Sequence, residues 1–248
     1  MKWFLIFLSI LLLSCSALRA EIVGMWLFDE GKGDVVKDIS KKGHDGKIKD
    51  GYKWVDGKFG KAVYFDGTGY VEIPHNDDLS FDKAFTIMIW ANIEKMAIDY
   101  VEIPRKENEY TIAPHAIGKG SEITIWVNVG GAWKGPIPAL GSAPVAVFGE
   151  WHHYASTYDG KICKMFQDGK EVGTQDIGGP VNKTTAVIRL SNGMAGRLMT
   201  GAIDEYIMAN NAFTVDQIND YMKRGTQMVM AVDSKDKLAT KWGEIKIK

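Results

Sequence analysis

WHHYASTYDGKICKMFQDGKEVGTQ, residues 151–175, decides the fold. Three alternating runs, 151–158, 162–167 and 171–175, are separated by Asp159-Gly160 and Asp168-Gly169. Glycine takes positive φ without strain and an aspartate carboxylate bonds the backbone just beyond it, so each pair reverses the chain tightly. The stretch therefore predicts a three-strand antiparallel meander. The same dipeptide recurs at Asp45-Gly46, Asp50-Gly51, Asp56-Gly57 and Asp66-Gly67, which extends the antiparallel reading toward the N-terminus.

Outward from the meander, residues 85–91 alternate with Phe85, Ile87 and Ile89 on one face and Thr86, Met88 and Trp90 on the other. Bulk on both faces predicts a central strand. Residues 123–129 place Ile123, Ile125, Val127 and Val129 on one side and Thr124, Trp126 and Asn128 on the other. Further strands are expected at 22–28, 62–65, 70–73, 186–190 and 201–208. The polar passage 38–60 reads as loops anchored by Ile48 and Trp54. Residues 92–120 read as one or two short strands with loops, and 130–149, with three prolines, as a long loop or edge segments. One helix is expected over 213–224: Thr214 caps it, Gln217 completes a capping box, Ile218, Tyr221 and Met222 form the apolar stripe, and Gly225 stops it.

The 248 residues, 46% hydrophobic and 25% charged, suffice for one large β domain. A net charge of -1 without a basic stripe excludes nucleic acid as a partner class. Lys2 followed by the apolar run 3–13 and then small residues reads as a secretory signal cut near Ala20. The run is too short for a stable transmembrane helix. Leu12-Leu13-Ser14-Cys15 also fits a lipoprotein signal, which leaves a lipid anchor at Cys15 as the alternative. The expected organisation is thus 1–20 signal, 21–231 domain, and 232–248 a tail that pairs as an edge strand or hangs free. Cys163 reads as a small buried hydrophobe without a disulfide partner.

In order along the chain, Trp26-Leu27-Phe28-Asp29-Glu30-Gly31, Gly57-Lys58-Phe59-Gly60-Lys61-Ala62, Phe65-Asp66-Gly67, Phe85-Thr86-Ile87 with Trp90, Trp151-His152-His153-Tyr154-Ala155, Tyr158-Asp159-Gly160, Asp168-Gly169-Lys170 and Gly201-Ala202-Ile203-Asp204-Glu205 resemble the laminin G-like, concanavalin A-like jelly-roll family, particularly its bacterial LamG-like branch. The resemblance implies an all-β, two-sheet antiparallel sandwich with the first and last strands adjacent. It also implies a structural Ca²⁺ at the rim, held by Asp204 with carbonyl oxygens from Gly67 and the neighbourhood of Asp29. Without a metal, Asp204 would cap a turn or pair with a lysine.

Catalysis on this fold usually means glycoside hydrolysis by two carboxylates across a cleft. The family's Glu-x-Asp-x-Glu spacing is absent, and Glu107-Asn108-Glu109 reads as a solvated charge cluster. His152 and His153 face opposite sides of a strand and cannot share a ligand; His153 is expected in the core with its nitrogens satisfied by backbone. No catalytic residue is assigned. Trp126, Asn128 and Trp133 are the candidate ligand-binding residues, because sugars stack C–H faces on aromatic rings and bond polar side chains. Trp26, Trp90 and Trp151 fit the core. The expected function is an exported binding module for glycan or an extracellular or cell-surface protein. The rival readings are a structural or adhesive envelope protein and a glycoside hydrolase.

Overall fold

The computed structural model describes residues 21–96, 101–117, 120–136, 148–191 and 197–225; the expected signal, 1–20, and tail, 232–248, lie outside them. Sixteen strands among these residues are Ile22–Trp26 (β1), Val35–Val36 (β2), Gly46–Lys49 (β3), Tyr52–Asp56 (β4), Lys61–Asp66 (β5), Tyr70–Ile73 (β6), Phe85–Met96 (β7), Pro104–Lys106 (β8), Tyr110–Ile117 (β9), Gly120–Val129 (β10), Ala132–Lys134 (β11), Trp151–Tyr158 (β12), Ile162–Gln167 (β13), Lys170–Asp176 (β14), Ile188–Leu190 (β15) and Met199–Ala209 (β16). One helix, Val215–Arg224 (α1), follows.

The strands form two antiparallel sheets. The first runs β14-β13-β12-β7-β16-β5-β4, and β1 pairs with β16 over the stretch that β5 leaves open. First and last strands are therefore adjacent, as the resemblance implies. The second runs β11-β10-β9-β8-β15-β6-β3-β2. The meander at 151–175 is β12-β13-β14, closed by the two Asp-Gly turns.

The parity of the sequence sets the layers. Phe85, Ile87, Ile89, Ala91 and Ile93 of β7 meet Ile125, Val127 and Val129 of β10, with Trp26, Phe65, Tyr110, Tyr154, Tyr158 and Tyr206, in one core between the sheets. Trp26 stacks on Tyr206 at 5.2 Å and donates its indole N–H to the His44 carbonyl. Cys163 lies in this core, and burial pushes its thiol up to about 12. A second cluster covers the outer face of the first sheet, where Ile218 and Tyr221 of α1 and the preceding Phe213 pack on Met25, Met88, Phe166 and Ile207. The Thr214–Gln217 capping box forms, and Gly225 ends the helix at φ 70°.

Several expectations change. The passage 38–60 is mostly loop with Ile48 and Trp54 as anchors, but two short strands, β3 and β4, also lie within it, because Ile48 fills the core while Lys47 and Lys49 point out, and Trp54 packs on the core edge and donates to the Gly33 carbonyl. The described residues of 92–120 are largely strand. β7 continues to Met96, and β9 passes through Pro114, whose carbonyl accepts from Val101. Its missing N–H faces that same side, before β8 begins, so no regular ladder bond is lost.

Glu109 is not solvated. It is fully buried with Lys106, 2.6 Å apart. Trp151 is only half-buried, at the end of its strand. His153 is buried, but on the outer face of the first sheet against Trp90, and its Nδ1 has no hydrogen-bond partner. Burial lowers its pKa to about 4, so the ring is neutral.

Candidate functional site

The outer face of the second sheet collects the aromatic and charged side chains that the core rejects. Register places Lys47, Glu72, Arg189, Arg105, Thr111 and Trp126 side by side across β3, β6, β15, β8, β9 and β10. Trp126 is brought there by its alternation with Ile125 and Val127, which point into the core. Val129 and Ala132 pair directly, so Gly130 and Gly131, at φ 63° and 83°, make the two-residue turn that needs positive φ at both centres. That turn sets Trp133 opposite Asn128. Trp126 and Trp133 are then diagonal neighbours on one face, a spacing of about 7–8 Å within reach of large rings. Both are half-buried.

Asn128 shares the face but is only 4% exposed. Its Oδ1 accepts from Asn182 Nδ2 at 2.9 Å, and its carbonyl accepts the Asn182 N–H at 2.8 Å. It clamps the hairpin to residue 182, and the two tryptophans carry the exposed surface.

Beside Trp133 the Arg105 guanidinium lies 5.3 Å from the indole centroid. It donates Nε and Nη2 to the two oxygens of Glu107 at 2.9 and 2.8 Å, and Nη1 to Glu102. Glu102 also accepts from Arg197 Nη1 at 2.6 Å. Burial opposes the Arg105 charge, but the bonds to Glu107 and Glu102 outweigh it and hold its pKa above the usual value. The same pairing lowers Glu107. Across the next strand, Arg189 lies 5.3 Å from the Tyr70 ring and donates to Glu72 at 3.3 Å. Between the two arginines is a depression of ≈ 250 Å³ lined by Arg105, Glu107, Ala186, Val187 and Arg189. Such a surface offers ring faces for stacking and fixed planar groups for paired hydrogen bonds to hydroxyls.

Sequence reasoning found the tryptophans and missed Arg105, Glu107, Arg189 and Tyr70. A signal existed for Arg189: in Ile188-Arg189-Leu190 the apolar neighbours face inward, so the arginine must face out.

Directly beneath the depression the chain is rigidly tied. Lys106 Nζ donates to Glu109, to Ser80 Oγ and to the Thr184 carbonyl, and Glu109 Oε1 also accepts from the Thr184 N–H at 2.5 Å. Lys106 and Glu109 are both 0% exposed. The pair holds the 106–110 turn and residue 184 in place under the site.

The three residues of the expected calcium site do not all converge. Asp204, on the outer face of the first sheet, accepts the Phe59 N–H at 3.0 Å, and Asp29 accepts the Lys61 N–H at 2.8 Å, so both carboxylates border the tight loop 57–61. Gly67 is elsewhere. Its neighbour Asp66 pairs with Thr200, four residues along β16 from Asp204, which is about 13 Å at strand spacing. Asp204 is fully buried, its Oδ1 has no partner, and burial, with Glu205 and Asp29 nearby, raises its pKa to about 8. An orphaned buried carboxylate oxygen fits a hard cation. Among the described residues no three acidic, His or Cys side chains gather to hold a metal. A calcium here would rest on Asp204, Asp29 and backbone carbonyl oxygens of the loop.

A family model described as the concanavalin A-like lectin/glucanases superfamily matches residues 65–219. No curated protein matches the chain in sequence. Among solved structures, domain 4 of AbnA, a GH43 extracellular arabinanase from Geobacillus stearothermophilus in complex with arabinotriose, superposes with a TM-score of 0.68 at 19% identity, over 82% of this chain and 99% of that one. The binding domain of Paraclostridial Mosquitocidal Protein 1 gives 0.66 at 16% identity, over 82% and 52%. The binding domain of Botulinum Neurotoxin DC in complex with SialylT gives 0.65 at 12%, over 83% and 51%. The chain thus spans the whole arabinanase domain and about half of each toxin domain, and the likeness is one of fold. With two antiparallel sheets, adjoining first and last strands and a family match across most of its length, the chain belongs to the concanavalin A-like lectin/glucanase superfamily.

Proposed function

We propose that this protein is an exported, non-catalytic module that binds carbohydrate on the outer face of its second sheet. The observation that carries the reading is the placement of Trp126 and Trp133 as diagonal neighbours beside the Arg105–Glu107 fork. The rings offer stacking surface, and the fork holds the half-exposed Glu107 carboxylate in a fixed plane as an acceptor for hydroxyls. On the outer face of the first sheet, α1 and Phe213 occupy the part over Met25, Met88, Phe166 and Ile207, which favours the second sheet as the face for a ligand. The complexes of two structural neighbours with arabinotriose and SialylT agree with this reading.

Glu107 and Glu109 are spent on Arg105 and Lys106, which supports holding over cutting. Export follows from the N-terminal apolar segment, with either cleavage near Ala20 or lipidation at Cys15. A calcium at Asp204 and Asp29 would neutralise the buried carboxylate and brace the 57–61 loop. The test is a glycan array probed with purified protein in calcium and in chelator. Retention on a defined set of glycans supports the reading, and no retention on a broad array overturns it.

A further inference from the structure

The second sheet places two arginines in direct register, Arg105 of β8 opposite Arg189 of β15. Like charges directly opposite on one sheet face repel. A fold without use for them would be expected to separate them or insert a carboxylate on the strand between, yet β8 and β15 are immediate neighbours. Instead each guanidinium is held by carboxylates and a ring of its own. Arg105 is fixed by Glu102 and Glu107 and stacked on Trp133; Arg189 is fixed by Glu72, on the next strand outward, and stacked on Tyr70. Lys49 adds a third cation, 5.9 Å from the same Tyr70 ring.

The depression lies between these two guanidiniums. Its ≈ 250 Å³ is smaller than the about 300–1,000 Å³ of drug-sized pockets, and is of a size for one sugar ring. A guanidinium carries five N–H donors. Glu72 takes only Nε and Nη2 of Arg189, both at a long 3.3 Å, and the Arg189 side chain is 40% exposed. Arg189 thus keeps donors for a ligand, and the linked cluster sets four cations, Arg105, Arg189, Arg197 and Lys49, against three carboxylates, Glu72, Glu102 and Glu107, which leaves it one positive charge. An anion in the depression would take the Arg189 donors that Glu72 holds only loosely or not at all.

From this geometry we infer that the ligand is an acidic glycan, and that the carboxylate of one uronic or sialic acid residue sits between Arg189 and Arg105 while a neighbouring ring stacks on Trp133 or Trp126. The inference rests on the carbohydrate-binding reading above and narrows it to a substrate class. Uronates and sialates present the same carboxylate, so the experiment separates them.

Affinity is measured for purified protein against oligogalacturonate and its carboxyl-reduced counterpart, and against sialyllactose and lactose, at two salt concentrations. One acidic ligand is expected to bind at least tenfold tighter than its neutral partner, with that advantage shrinking at high salt. Arg189→Gln, at a half-exposed position where folding is preserved and checked by an unchanged Tm, is expected to remove most of the preference. Arg189→Lys restores it only in part, because a point charge cannot replace the planar fork. Neutral glycans bound as tightly as acidic ones would overturn this inference and leave the carbohydrate-binding reading standing. Binding to no glycan would overturn both.

Discussion

Replacing Glu109 with Gln tests whether the acid at the 107–109 turn is structural. Lys106 Nζ and Glu109 Oε1 are 2.6 Å apart with both side chains at 0% exposure. Gln keeps the Oε1 acceptor for Ser80 and Thr184 but leaves the lysine charge without a counter-ion. Removing one partner of a buried pair costs about 3–5 kcal/mol. An upper bound follows from deprotonation. The unfolded chain titrates near the ordinary lysine value of 10.5, so holding Lys106 neutral at pH 7 costs at most about 5 kcal/mol, at 1.36 kcal/mol per pH unit.

Burial already lowers the Lys106 pKa, and loss of Glu109 lowers it further. The expected loss at pH 7 is therefore about 3–5 kcal/mol, or roughly 6–20 °C in Tm for a domain of this size. Once the lysine is neutral, that loss shrinks by about 1.4 kcal/mol for each pH unit gained. The double variant Lys106→Met with Glu109→Gln removes both charges and is expected to recover most of the stability. Urea unfolding followed by tryptophan fluorescence at pH 7 and pH 9 measures all of this. A single variant within 1 kcal/mol of the parent, or a double variant as unstable as the sum of the two singles, would refute the structural reading of Glu109.

Two further outcomes follow from the titrating groups. His153 has a folded pKa of about 4 against 6.5 unfolded, so the unfolded chain binds the extra proton between those values and stability falls as pH drops from 6.5 toward 4. His153→Phe is expected to remove about 3 kcal/mol of that acid sensitivity in melts across the window. Asp204 shifts the other way, from 3.8 to about 8, so without metal the folded chain holds a proton that the unfolded chain releases, and stability declines as pH rises from about 4 to 8. Calcium in place of that proton is expected to flatten the decline and raise Tm at pH 8. Asp204→Asn is expected to abolish both effects of calcium, and melting curves identical in calcium and chelator would remove the metal from the account.

Much of the fold was legible because parity and turns are local. The alternation in 85–91 and 124–129 and the Asp-Gly turns of 151–175 put each side chain on the face it occupies. The strands β3, β4, β8 and β9 were poorly legible because they are short, polar or interrupted by proline, and are held by neighbours distant in sequence: β3 by β6, β8 by β15.

The site divides the same way. Trp126 and Trp133 could be read from strand parity and a Gly-Gly turn, whereas the Arg105–Arg189 juxtaposition joins residues 84 positions apart and exists only through sheet order. Asn128 had the right parity, but its burial depends on Asn182, which no local pattern reveals. Glu109 looked solvated because the lysine that neutralises it, three residues earlier, points into the core with it.

The central claim, that the second sheet's outer face holds sugar through its paired tryptophans, is tested most directly by comparing glycan affinity of the parent with that of Trp126→Ala and Trp133→Ala at matched Tm. Truncating an aromatic anchor typically costs 2 kcal/mol or more, so each change is expected to weaken binding by roughly thirtyfold and the two together to abolish it. Full affinity in the double variant would contradict the claim and move the ligand to another part of the molecule.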